Sequence, residues 1–97
     1  MDEKRIRGLM GLCVRAGQAT FGEERCLKDL RSGQCGLLLL DAGISKSAEE
    51  RYQGICEREG IPMKKLPEGW LEEATGRPGM AMAVRAGGFA EQMAGCL

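Results

Sequence analysis

Residue types and spacing suggest chemistry most clearly in Arg15-Ala-Gly-Gln-Ala-Thr-Phe-Gly-Glu-Glu-Arg-Cys-Leu-Lys28. A glycine turn here leads directly into the start of a helix. Free amides at such an end bind a phosphate or a base edge, and the missing Cβ of Gly22 permits close backbone approach. Lys28 follows on the same helix, flanked by Arg25 and Arg31. A lysine so placed donates to guanine O6 and N7 in a groove. The chemistry is that of nucleic-acid binding, although many helices begin with glycine and carry lysines merely as solvated charges.

Catalytic alternatives have little to rest on. The chain contains no histidine, so the usual general base near neutral pH is missing, as are Ser-His and Cys-His pairs. Asp41 ends an apolar run, where α/β proteins often place functional residues, but a lone carboxylate there more commonly caps a loop. Cys26 falls in the first two turns of a helix, whose dipole lowers a thiol pKa. Glu23 and Glu24 oppose that effect, and its position on the apolar stripe reads as a core thiol. No Gly-x-Gly-x-x-Gly, Walker loop or metal-ligand spacing is present. The expectation is a protein that is not an enzyme and carries no cofactor.

The elements that position the 15–28 segment follow from periodicity. Ile6, Leu9, Met10, Cys13 and Val14 form one stripe of an amphipathic helix, and Gly17 suits its C-terminal cap. Residues 18–21 read as a short edge strand. The helix opened by Gly22 buries Cys26, Leu27 and Leu30 and stops at Ser32-Gly33. Gly36 to Asp41, with four consecutive leucines between breakers, reads as a central strand covered on both faces. After a loop at 42–45, Ser47 and Glu50 have capping-box spacing, and the helix they open turns Ala48, Tyr52, Ile55 and Cys56 inward. Ile61-Pro62-Met63 begins another strand. Pro67 suits the first turn of a short helix carrying Trp70, Leu71 and Ala74 and closed by Gly76. Met80 to Arg85 reads as a second buried strand, and Phe89, Ala90 and Met93 as the inner side of a last helix. Such alternation predicts an α/β fold with a sheet sandwiched between helix layers, one domain over residues 1–97.

Composition agrees with a globular protein: 97 residues, 43% hydrophobic and 29% charged. No apolar run approaches the roughly 18 residues of a membrane span, and the N-terminal residues lack the apolar stretch of a signal peptide. A cytoplasmic protein with no membrane partner is expected. The five cysteines are odd in number, with no Cys-x-x-Cys pair, and are expected to be reduced and mostly buried. Fourteen bases balance fourteen acids, which argues against a strong non-specific nucleic-acid binder. The bases nevertheless gather between Lys4 and Arg31, and the acids between Glu49 and Glu73.

Several segments together are more specific than any one alone. Gly11-Leu-Cys-Val-Arg-Ala-Gly-Gln18, Gly22-Glu23-Glu24, Leu30-Arg-Ser-Gly33, the Leu37–Leu40 strand, Cys56-Glu-Arg-Glu-Gly-Ile-Pro62, Leu71-Glu-Glu-Ala-Thr-Gly76 and Gly88-Phe-Ala90 resemble the bacterial YlxQ branch of the L-seven-Ae/L-thirty-e ribosomal-protein superfamily. The resemblance covers nearly the whole chain. It implies a three-layer α/β/α sandwich with a small mixed sheet, and binding to kink-turn RNA, a sharply bent duplex with tandem G·A pairs, in association with the ribosome or translation. On that resemblance Gly22 approaches the RNA backbone, Glu24 takes the place of a base-reading Asn, and Lys28 matches the family's Lys, with Arg25 and Arg31 beside it. The loops at 41–45 and 76–80 would cradle an extruded nucleotide, with Ile44 and Met80 as apolar contacts and Arg77 among the RNA-binding residues. Structured ribosomal or messenger RNA is the implied partner, with ribosomal or translation-factor proteins as further partners.

The departures from the family pattern are specific. Glu24 is only an acceptor where the family has an amide that both donates and accepts. Arg25 replaces a carboxylate, Glu72 stands where the family has Gly, and Gly43 where it often has an acid. Glu68-Gly69 lies where a Ser-Lys would precede the Leu-Gly motif. These changes and the zero net charge support a second reading, a protein-interaction domain of the translation apparatus that has lost direct RNA contact, with Trp70, if exposed, as its anchor.

Overall fold

Four leucines in a row have to be covered on both sides of a strand, and the fold is arranged around that requirement. The computed structural model describes residues 1–97, with α1 (Glu3–Arg15), β1 (Ala19–Phe21), α2 (Glu23–Arg31), β2 (Cys35–Asp41), α3 (Lys46–Glu59), β3 (Met63–Leu66), α4 (Trp70–Thr75), β4 (Ala81–Arg85) and α5 (Gly88–Cys96) in order. The sheet is mixed, with strand order β1-β4-β2-β3. β2 pairs antiparallel with β4 and parallel with β3, and β1 closes the other edge antiparallel to β4. No helix is long and apolar enough to cross a membrane.

Side chains alternate across β2, so its leucines divide between two cores. Leu37 and Leu39, with Met82 and Val84, pack against Ile6, Met10 and Cys13 of α1, Leu71 of α4 and Met93 of α5. Leu38 and Leu40, with Ala81 and Ala83, pack against Cys26 and Leu30 of α2 and Tyr52, Ile55 and Cys56 of α3. The result is the expected three-layer α/β/α sandwich. All five cysteines are free and buried.

Local caps explain where the boundaries differ from those expected. Ser45, not Ser47, caps α3: its backbone is extended and its hydroxyl accepts from the Ala48 amide at 3.3 Å, while Ser47 already lies inside the helix. β3 starts at Met63 rather than Ile61, because Pro62 has no N–H to give the ladder; its carbonyl accepts from Leu38 N at 2.9 Å. Pro67 stands ahead of α4 rather than in its first turn, since Gly69 takes φ 88° and cannot extend the helix backward. Met80 lies just outside β4.

Asp41 is the buried polar residue of the sheet, 4% exposed. Its carboxylate accepts from Gly43 N at 2.7 Å and Gly69 N at 2.9 Å. It therefore ties the loop after β2 to the turn before α4, the loop-capping role that its position suggested.

Candidate nucleic-acid interface

β1 passes into α2 through Gly22 alone, so the edge of the sheet delivers the helix start without an intervening loop. Gly22 has φ 95°, a conformation natural to glycine, and as N-cap it offers no side chain to the first turn. The early amides of α2 are left open to an outside acceptor. The helix itself is anchored from below. Cys26 is fully buried and its thiol donates to Thr20 O at 3.3 Å. Burial pushes that thiol up to about 11, which makes it a core group rather than a nucleophile.

Three depressions adjoin along this helix. Arg25 and Lys28 line a groove with Phe21, Asp29 and Arg77. On the outer side of α2, Glu24, Arg25, Lys28 and Arg31 border an open surface. At the N-terminus of α2 lies a recess of about 380 Å³. Gly22 and Glu23 form one side of it, Ile44 and Ser45 another, and Pro78, Gly79 and Met80 a third, with Tyr52 of α3 also in its lining. All eight residues singled out from the sequence therefore fall on one region: Gly22, Ile44 and Met80 on the recess, Arg25, Lys28 and Arg77 on the groove, and Glu24 and Arg31 on the helix surface between solvent and groove. Met80 is 49% exposed, an apolar side chain held out at the rim.

Charge is distributed unevenly over this region. The ion pairs of the protein are Arg7 with Glu3 and Glu73, Arg51 with Glu23, and Lys65 with Glu49. Arg25, Lys28, Arg31 and Arg77 are exposed and have no carboxylate within salt-bridge distance, so their charges are available to an outside anion. Glu23 is matched by Arg51 of α3. Glu24 has no such partner and keeps a free carboxylate beside the open surface.

Sequence reasoning missed three features of this site. Arg77 stacks on Phe21, its guanidinium carbon 4.8 Å from the ring centroid. Glu23, read as a helix-dipole acid, is also one half of the α2–α3 ion pair. Tyr52, read only as core, reaches the recess. The first two depend on contacts between segments far apart in the chain, and no local spacing announces them. Trp70, the anchor of the second reading, is covered: it is 9% exposed, with the Arg7 guanidinium carbon 4.3 Å over its ring.

No family model matches the sequence, and no curated protein matches it. Among solved structures, a protein of unknown function from Bacillus halodurans aligns with TM-score 0.89 at 27% identity, over 94% of each chain. The 15.5 kD RNA-binding protein of Giardia lamblia aligns with TM-score 0.77 at 16% identity, over 96% of this chain and 84% of its own. The likeness is one of fold. An α/β fold with a four-stranded mixed sheet flanked by helices is common to this chain and the Giardia protein, and it is the L-seven-Ae/L-thirty-e-like fold that the sequence motifs implied.

Proposed function

We propose that this protein is a non-enzymatic RNA-binding protein of the YlxQ-like kind, recognising structured, kink-turn-like RNA, with residues 1–97 acting as one binding unit. The observation that carries the reading is the convergence at the start of α2: open helix amides at Gly22, unpaired Arg25, Lys28, Arg31 and Arg77, and a recess walled by Ile44 and Met80. RNA recognition combines these elements, with phosphate contacts for position and an apolar recess for an unstacked base. In this arrangement the α2 N-terminus enters the RNA groove, and the loops after β2 and before β4 hold the extruded nucleotide. Glu24, lacking a donor, reads an amino group rather than a base edge that presents only acceptors. Zero net charge with a local basic face favours structured RNA over any polyanion. Catalysis has no group to serve it here, because the Asp41 carboxylate is occupied by two backbone amides and the thiols are core groups. Such a protein works in the cytoplasm on ribosomal or messenger RNA, beside ribosomal or translation-factor proteins.

The test is binding to a labelled kink-turn RNA and to a straight duplex of equal length, each at low and high salt. The expected result is salt-sensitive binding that prefers the kinked RNA, because phosphate contacts release counterions. Lys28→Ala should weaken it without affecting the fold. Equal or absent binding to the two RNAs would remove the kink-turn reading.

A further inference from the structure

Tyr52 is among the most buried residues of the protein, 2% exposed, yet it lines the recess at the start of α2. Its hydroxyl has no hydrogen-bond partner in the protein, nor is it shut away from solvent: the one side-chain polar atom both buried and unpartnered is Arg7 Nε. The small part of Tyr52 that remains open therefore includes the hydroxyl, while the residue belongs to the same buried core as Cys26, Leu30 and Ile55. A buried tyrosine normally satisfies its hydroxyl. Here the partner has to come from outside, through the recess.

The surroundings define what that partner is. The recess of about 380 Å³ lies at the lower end of the roughly 300–1,000 Å³ of small-ligand sites, enough for one flat ring rather than a stretch of chain. Its sides are apolar at Ile44, Pro78 and Met80, suited to the faces of a base. Burial, with Cys26 and then Glu23 adding to it, raises the Tyr52 hydroxyl to about 12, so the group stays protonated. A hydroxyl at such a recess hydrogen-bonds the edge of a ring that enters it, donating to a carbonyl oxygen or a ring nitrogen.

We propose that Tyr52 is a base-contacting residue, its hydroxyl hydrogen-bonding the edge of a single extruded base held in the recess. This rests on the RNA-binding reading and adds to it a residue, outside the sequence motifs, that touches the base itself. Backbone and phosphate contacts along α2 supply affinity without regard to that base; Tyr52 adds a contact that exists only when a base is present.

The experiment uses the full chain and two kink-turn RNAs identical except at the extruded position, which carries uridine in one and an abasic residue in the other. Wild-type protein is expected to bind the uridine RNA more tightly. Tyr52→Phe keeps the ring and removes only the hydroxyl, and should weaken uridine-RNA binding roughly tenfold, as the loss of one buried hydrogen bond does, while leaving abasic-RNA binding unchanged. A Tyr52→Phe protein that loses affinity equally for both RNAs, or for neither, overturns the assignment while the RNA-binding reading stands on wild-type binding. Failure of wild-type protein to bind either RNA overturns both.

Discussion

Arg77 holds its guanidinium carbon 4.8 Å from the centroid of the Phe21 ring, so a cation from the loop before β4 is fixed over the strand that leads into α2. Gly79 lies against the same ring, since a Cβ on it would sit 3.9 Å from Phe21 Cδ1. The stack is worth about 0.5–1 kcal/mol at an exposed site. Its larger consequence is position: it sets Arg77 beside Arg25 and Lys28 on one groove.

If that groove takes the RNA backbone, Arg77→Ala should remove one phosphate contact, weakening kink-turn binding and lowering the slope of log affinity against log salt by roughly one. Arg77→Lys keeps the charge but not the planar stack, so it should retain the slope and lose only a small part of the affinity. The thermal midpoint of Arg77→Ala should fall by about 2–8 °C, the effect of losing about 0.5–1 kcal/mol of stacking in a domain of this size. Anisotropy titrations across several salt concentrations measure the slopes. An unchanged slope for Arg77→Ala would place this residue off the RNA.

Asp41 joins two loops with two short hydrogen bonds, to Gly43 N and Gly69 N. Asp41→Asn retains one acceptor oxygen and presents an amide donor to the other backbone N–H, leaving two donors facing each other. The expected cost is about 1.5–3 kcal/mol, the range for hydrogen bonds to a charged group. Urea unfolding gives the number. Because the loop after β2 also carries Ile44, RNA binding by this variant should fall even where it remains folded.

The legible parts of the fold were those determined locally. Four leucines between a glycine and an aspartate are short enough to be a strand and apolar enough to be buried on both faces, and β2 is both. The stripe from Ile6 to Val14 likewise shows its period within one segment. Boundaries set by tertiary hydrogen bonds were not legible: Gly69 is drawn out of α4 partly by Asp41, a residue from another loop. The candidate site divides in the same way. Gly22 and Lys28 stand out within one helix, whereas Arg77 meets Phe21 only because β1 and β4 pair, with Phe21 opposite Met82. Tyr52 has the helical spacing of a core residue and is one; that it also lines a recess depends on the loops around it.

Gly36 shows how tightly α5 and the end of β4 close on β2. A Cβ there would lie 2.7 Å from Ala86 Cα and 3.0 Å from Ala90 Cβ, and the first of these is backbone, which cannot swing aside. Gly36→Ala should therefore destabilise the protein by about 1–3 kcal/mol through overpacking. Gly8, in the middle of α1 with nothing within 4 Å of its Cβ position, provides the contrast. Gly8→Ala should stabilise by up to about 1 kcal/mol, since alanine has the better helix propensity. Chemical denaturation of both variants checks the opposite signs.

Stability should fall in alkaline solution because of the buried thiols. Burial raises Cys13, Cys26 and Cys56 from 9.0 to about 11, so the folded chain holds thiol protons that the unfolded chain has already released. A raised folded pKa contributes stability that is fully present below the unfolded value and is lost as pH rises through the folded one. Where the thiols govern, the urea midpoint should be level below about pH 8.5 and decline as pH rises toward 11. Tyr52, pushed up to about 12, acts in the same direction at the upper end. Cys56→Ala should flatten the decline although it lowers stability at pH 7 by removing a buried side chain. Alkylation at pH 8 should be correspondingly slow in the folded protein and fast in urea, since the thiolate is the reactive form. Rapid labelling of all five cysteines without denaturant would contradict their burial.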